Sequence, residues 1–394
     1  MTHILEFSAL RAAAQAPLDD PHRYQAVYFL GTHTPIFHLR CAEMTSRLPN
    51  VAGALVFEDN EDKRQRLGHV LRTDRPMTLL TTSALLQRSR ADMAGILVID
   101  FNESLAGKQI ANRLRQAGVA VIDCLYAMHQ VGMSHTYTTV REERTYVIDH
   151  LDSFERAAAR LTDAMSRRTL LARLTALVTL DRAALIEVAY PLADFINAFA
   201  PSAGIVVRDD ETFIDAGAAH GDTVTHFYQC SGGKYRAIHA FEPDASNYGA
   251  LSALCAFLPA ASSYFAGLGE NAGTLAFFED PANRFGSNFV ARPASNGGTA
   301  TQMTMMAIDD VADAPTLIKI DVEGFEVAVV KGAARAIASN QPNMTISAYH
   351  YPHDIAELID TVLAIHPYRH VGMRHYSASL YDTQLMFSET QSFD

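Results

Sequence analysis

Asp321 and Glu323 stand two residues apart where the apolar run Leu317–Asp321 meets Gly324 and a helix-compatible stretch through Ala333. A short buried strand, an acid at its tip, a glycine-relieved turn and a helix together form the place where open parallel sheets bind ligands. Carboxylates there can accept hydrogen bonds from hydroxyls or take a proton from a reacting one. About a hundred residues earlier, Phe213-Ile-Asp-Ala-Gly-Ala-Ala-His-Gly-Asp-Thr223 follows the same logic. Its Asp215 is placed to accept a hydrogen bond from the ammonium of an amino-acid moiety. Gly217 and Gly221 let the backbone come close to a ligand. Some twenty residues on, Ile238-His-Ala-Phe-Glu-Pro-Asp244 ends a second run on Glu242, which suits the two hydroxyls of a ribose. The turn reads GxxxG and lacks the third glycine of GxGxxG, but this spacing alone does not separate a dinucleotide from S-adenosylmethionine. Glu270, after Gly267-Leu-Gly269, is the candidate at the adenine end.

A hydroxyl is a poor nucleophile near neutral pH, so transfer to oxygen needs a base within hydrogen-bond reach. The candidates are Asp321, Glu323, His350 and His375; His350 is preferred for its intrinsic pKa, with Glu323 next. Arg374, His375 and Tyr376 are expected to orient the acceptor. His350, His353 and Asp354 also offer a metal-ligand grouping, but the spacing matches no ligand pattern and no metal is expected. Lys319 and Lys331 read as a strand-edge cation and a helix-end cation.

Three regions position these groups, at 1–150, 151–200 and 201–394. In the first, the runs Ala26–Leu30, Ala54–Phe57, Met77–Leu80, Ile96–Ile99 and Val119–Ile122 alternate with helical stretches, among them Ser104–Gln116. That pattern predicts a small parallel α/β, Rossmann-like domain covered on both faces. In the second, Phe154, Ala158, Leu161, Met165 and later leucines recur at helical spacing. This predicts a helical linker ending near Tyr190-Pro191, used for domain packing or, in the alternative, as a homodimer surface. In the third, seven strands are predicted: Thr212–Asp215, Ala237–Phe241, Ser263–Leu268, Leu317–Asp321, Met344–Ala348, Tyr368–Met373 and Gln384–Phe387. Gly273–Phe278 is expected on the edge of that sheet, and Pro293–Ala300 as a mobile loop.

Composition narrows the field. A net charge of −12 argues against a nucleic-acid partner. No apolar run reaches the roughly 20 residues of a membrane span. Met-Thr-His-Ile-Leu-Glu-Phe7 lacks the pattern of a secretory signal. Cys41, Cys124, Cys230 and Cys255 form no CxxC pair, which favours reduced thiols in the cytoplasm.

The ordered pair of motifs resembles the FkbM family of S-adenosylmethionine-dependent methyltransferases from about Phe213 to Phe387. The resemblance rests on the Phe213–Thr223 turn, Ala240–Asp244, Lys319-Ile-Asp-Val-Glu-Gly-Phe-Glu326 and Lys331-Gly-Ala333, with weaker support at Tyr349-His350 and Met373–Tyr376. It implies a seven-stranded class I methyltransferase sheet, S-adenosylmethionine as cofactor, and O-methylation of a saccharide or other small hydroxylated metabolite. N-methylation of an amino sugar stays open. Ala219-His220 departs from the family, where asparagine and an aliphatic residue are usual.

In the first domain, Tyr28–Pro35 is a degenerate nucleotide turn with Gly31 alone, and Glu58 and Asp59 stand at the ribose-acceptor place. Substrate recognition or oligomerisation is preferred for this domain. Two readings compete with methyl transfer. One is an NAD(P)-linked oxidoreductase or epimerase of a nucleotide sugar. The other is a non-catalytic binding protein on a retained fold, against which stand acids at three strand tips.

Overall fold

The computed structural model describes residues 3–18, 20–56, 77–88, 90–190, 205–278, 289 and 300–393. Glu58 and Asp59, Pro191, and residues 293–299 of the expected loop lie outside the described residues. The chain clusters into two units. One holds Met1–Leu151, Leu171–Ala189 and Ser377–Leu380; the other holds Asp152–Leu170, Tyr190–Tyr376 and Tyr381–Asp394. The division thus falls at the first residue of the helix Leu151–Arg160 and within Ala164–Thr179, while Ala183–Val188 belongs to the first unit.

In the first unit, β1 (Ala26–Leu30), β2 (Val51–Val56), β3 (Thr78–Thr81), β4 (Ile96–Asp100) and β5 (Ala120–Asp123) form a parallel sheet in the order β3-β2-β1-β4-β5. β4 is buried at every position, as a strand covered on both faces must be. The helix Leu105–Gln116 begins at Ser104, whose hydroxyl accepts the Gly107 N–H, and the chain leaves it through Gly118 at φ 94°.

The second unit holds β6 (Thr212–Ala216), β7 (Ala237–Phe241) and β8 (Ala261–Tyr264), then β9 (Gly267–Leu268), β10 (Gly273–Phe278) and β11 (Ala300–Met306). After these come β12 (Leu317–Ile320), β13 (Asn343–Ser347), β14 (His370–His375) and β15 (Thr383–Ser388). Seven of them form one sheet in the order β14-β15-β13-β12-β6-β7-β8. β15 runs antiparallel between β13 and β14, and the other pairs are parallel. Phe213, Phe227, Ile238, Leu251 and Leu317 pack in its core.

Two sequence expectations need correction. Gly273–Phe278 does not extend the seven-stranded sheet; it pairs antiparallel with β11, and β11 pairs with β9, in a separate three-stranded sheet. Ser263–Leu268 is accordingly two strands, broken at Phe265-Ala266, because β8 pairs with β7 while Gly267 and Leu268 pair with β11. Gly267 has to be glycine there: a Cβ would stand 2.3 Å from the Phe289 ring.

Candidate active site

The strand order reverses between β6 and β12: from β6 the chain proceeds to β7 and β8, and from β12 to β13. Such a reversal opens a crevice at the carboxyl ends of the strands. Asp215 stands one residue before the end of β6, in register with Lys319 of β12. Their side chains form an ion pair at 3.2 Å, and the Lys319 ammonium also donates to the Gly217 carbonyl at 2.6 Å. Lys319 is thus a buried cation on a central strand rather than at an edge. Beyond that ion pair neither Asp215 oxygen has a hydrogen-bond partner among the described residues. Burial pushes the Asp215 carboxyl up, against the opposing Lys319 charge.

The glycines do more for packing than the sequence suggested. Gly217 sits at φ 77°, and a Cβ on it would fall 1.8 Å from the Asp321 carbonyl, so glycine lets the tips of β6 and β12 touch. Gly221, at φ 94°, abuts Leu254. Between them Ala219 holds φ 45°. Alanine is less at ease in that left-handed region than asparagine would be. The Ala219 N–H donates to Glu242 Oε2 at 2.8 Å, and the Asp244 N–H to Oε1 at 2.8 Å. Glu242 therefore ties the two turns together. Its burial raises the carboxyl to about 7, in spite of these two donors. Glu270 is exposed, beyond β9 on the smaller sheet.

Asp321, Glu323 and His350 do come together. His350 Nε2 stands 3.7 Å from Asp321 and 3.6 Å from Glu323, while Nδ1 stands 3.1 Å from Glu326 Oε1. Glu326 was not singled out by the sequence reading, although it lies inside the motif. Its Oε1 also accepts the Val322 N–H at 2.9 Å and the Gly324 N–H at 3.3 Å. It thereby holds a turn in which Glu323 (φ 56°) and Gly324 (φ 93°) are both left-handed. The Tyr349 hydroxyl reaches Asp321 at 3.4 Å. Burial raises Asp321 to about 6, with Lys319 and His350 opposing. Burial alone would lower His350, but Glu326 and Glu323 reverse it and hold the imidazole well above its usual range. Glu326 goes the other way: burial opposes its charge, yet His350 and the backbone donors keep it low. Asp354, which accepts the Tyr351 N–H at 2.7 Å, is raised to about 7 by burial and by Glu326.

Other sequence candidates lie elsewhere. His353 is set apart from His350: it stacks on Tyr351 and faces Glu357 at 3.7 Å, so the grouping of metal-ligand type around His350 is with Asp321 and Glu326 instead. Arg374, His375 and Tyr376 are buried. Arg374 donates to Asp163, Ser166 and the carbonyls of Met373 and Phe393, and His375 Nδ1 meets Thr383 Oγ1 at 2.9 Å. These three side chains face internal partners, and solvent is largely closed to them. In the first unit, the Ile36 N–H at the start of the helix Pro35–Arg47 donates to Glu103 at 3.1 Å. A carboxylate of the chain itself thus takes the position a phosphate would need.

A seven-stranded sheet with one antiparallel strand, and acids at the tips of β6, β7 and β12, is the arrangement of the class I methyltransferase fold. Residues 215–372 match the family model of the methyltransferase FkbM domain. The methyltransferase FkbM structure from Methylobacillus flagellatus KT superposes with a TM-score of 0.73 at 23% identity, over 97% of this chain and 98% of that one. Precorrin-6y C5,15-methyltransferase from Geobacter metallireducens GS-15 reaches 0.30 at 13% identity, over 50% and 84% of the two chains. Fibrillarin from Aeropyrum pernix, solved with natively bound S-adenosyl-L-methionine, reaches 0.30 at 11%, over 47% and 68%. The last two likenesses are too low to carry an argument. No curated protein matches the chain.

Proposed function

We propose that the chain is an S-adenosylmethionine-dependent methyltransferase acting in the cytoplasm on a hydroxyl of a saccharide or similar small polyol. The observation that carries this reading is Asp215: a wholly buried carboxylate at the strand reversal, matched by one lysine and by no further hydrogen bond among the described residues. Such a group is costly to the fold unless a ligand completes it. S-adenosylmethionine fits, because its ammonium is the donor that Asp215 lacks. Glu242 would accept the ribose hydroxyls with the capacity its two backbone donors leave, and Glu270 would border the adenine. When bound, the cofactor supplies an electrophilic methyl group.

The chain's own work is to align the acceptor oxygen and remove its proton. Geometry favours Glu323 for the proton over His350. The side chain of His350 is 1% exposed with both ring nitrogens turned to carboxylates, whereas that of Glu323 is 28% exposed. Asp321, at 19%, is placed to accept a hydrogen bond from a neighbouring hydroxyl. Four free cysteines accord with a reducing compartment.

Calorimetric titration of S-adenosylmethionine into the purified protein tests the cofactor assignment. Saturable binding is expected, weakened about tenfold to a hundredfold in Asp215→Asn, since a charge-assisted hydrogen bond is worth about 1.5–3 kcal/mol. Unchanged affinity in the variant moves the site away from β6; no binding by the folded wild type sinks the reading. For the base, Glu323→Gln is expected to keep cofactor affinity while kcat falls by about 10²–10⁴. A variant with wild-type kcat removes Glu323 from that role.

A further inference from the structure

A lysine is a poor residue for the middle of a sheet. Lys319 nevertheless stands on β12, between β6 and β13, with only 7% of its surface exposed. On the β13 side its partner in register is Thr345, a neutral residue that donates to Gln384 Oε1 at 3.1 Å. The ammonium turns to the β6 side. There it lies 3.2 Å from Asp215 Oδ1 and donates to the Gly217 carbonyl at 2.6 Å. An aliphatic side chain would fill the same space without the desolvation of a cation. The charge, not the volume, sets Lys319 apart.

Asp215 is wholly buried, and a carboxylate alone in such a place takes up a proton. A protonated Asp215 would offer only a neutral group to an incoming ammonium. Lys319 opposes that protonation. The further groups that bear on the pair, Asp222, Glu242 and Asp321, are acids and cannot replace it. The lysine lies against Oδ1, and Oδ2 keeps no partner among the described residues, so one oxygen is left for a ligand. The same lysine fixes the turn after β6. The N–H groups of Gly217 and Ala218 donate to the Phe241 carbonyl at 3.1 and 2.9 Å, while Lys319 takes the Gly217 carbonyl. Gly217 is thereby held from β7 and β12 at once, at φ 77°.

We propose that Lys319 is a positioning residue for the amino-acid end of the cofactor: it keeps Asp215 charged in the empty crevice and pins Gly217, so that Oδ2 stays open to the cofactor's ammonium. The assignment rests on the S-adenosylmethionine reading and adds a division of labour to it. Lys319 acts through Asp215 and Gly217 on one end of the ligand. The ribose end depends on Glu242, which its own two backbone donors hold.

Calorimetry on the full-length protein with two ligands is the test. S-adenosylmethionine carries the amino-acid arm, and 5′-methylthioadenosine has the same nucleoside without it. Lys319→Met is expected to weaken S-adenosylmethionine about tenfold or more and to keep 5′-methylthioadenosine within about threefold. Most of that loss should vanish in an Asp215→Asn background, where the lysine has no charge to maintain. Equal losses for the two ligands, the same loss on top of Asp215→Asn, or unchanged S-adenosylmethionine affinity each overturn the proposal. The charge on Asp215 is read without any ligand, from the carboxyl carbon resonance that Asp215→Asn removes. At neutral pH it should be ionised in the wild type and protonated in Lys319→Met. A protonated Asp215 in the wild type overturns the proposal by itself, and this reading decides where Lys319→Met does not fold. A folded wild type that binds neither ligand sinks the cofactor reading. A Lys319→Met variant that treats the two ligands alike sinks only the role given to Lys319.

Discussion

Both large sheets end strands on acids, yet the two sets of acids live in opposite electrostatic settings. In the first unit, Asp100 ends β4 and Asp123 ends β5, and two cations meet them. Lys108 pairs with Asp100 at 3.0 Å and also with Asp123; Arg182 Nε reaches Asp123 at 2.9 Å. Arg182 further donates to the carbonyls of Asp100 and Asn102. Burial alone would raise Asp123, but Arg182 and Lys108 override it and hold the carboxyl at about 2. In the second unit, Asp215, Glu242 and Asp321 share one lysine, and burial raises all three. A matched set closes a crevice from within. An unmatched set is one that a ligand completes. The same strand-tip acid is therefore structural in one sheet and a site candidate in the other.

Arg182→Met is the largest blow to that comparison. It removes one partner of a buried network and strands the Asp123 charge, a change that costs about 3–5 kcal/mol in comparable cases. Urea unfolding should show a loss of that size, while the variant protein, where folded, binds S-adenosylmethionine as the wild type does. A loss below about 1 kcal/mol would mean that the first sheet is not held by charge matching, and the contrast would collapse.

How far the sequence disclosed this follows from where each signal resides. Strands β6, β7 and β12 were legible because the apolar run, the acid and the turn are contiguous. So was the convergence of Asp321, Glu323 and His350, since neighbouring parallel strands bring their tips together. What depends on distant partners was hidden. Arg374 was expected to orient the acceptor, but its carboxylate is Asp163, 211 positions earlier. The pairing of Gly273–Phe278 with Ala300–Met306 spans an intervening segment and leaves no local period. Lys319 was visible as a residue, and only the register opposite Asp215 makes it a central cation. Arg182 carried no signal at all, because nothing local in a helical stretch announces a partner 59 positions away.

The finest test of the contrast is pH, where the two sheets should respond with opposite signs. Asp123 has a folded pKa of about 2 against an ordinary 3.8, so its contribution is present above about 4 and lost as pH falls toward 2. By linkage this is worth on the order of 2 kcal/mol. Glu242 has a folded pKa of about 7 against 4.5, so the fold favours its protonated form. That contribution is present below about 4.5 and lost as pH rises through 7, on the order of 3 kcal/mol if burial acts in full. Urea midpoints measured across pH for wild type, Asp123→Asn and Glu242→Gln separate the two. Asp123→Asn should flatten the acid limb below pH 4 and leave the neutral range alone. Glu242→Gln should gain stability relative to wild type as pH climbs from 4.5 to 7, because the amide keeps a neutral group where the wild type must ionise. The gain should shrink when S-adenosylmethionine is present, since a ribose bound to the carboxylate favours the ionised form in the wild type alone. Were Glu242→Gln to track the wild type at every pH, the second sheet would be as well matched as the first, and its acids would no longer mark a site.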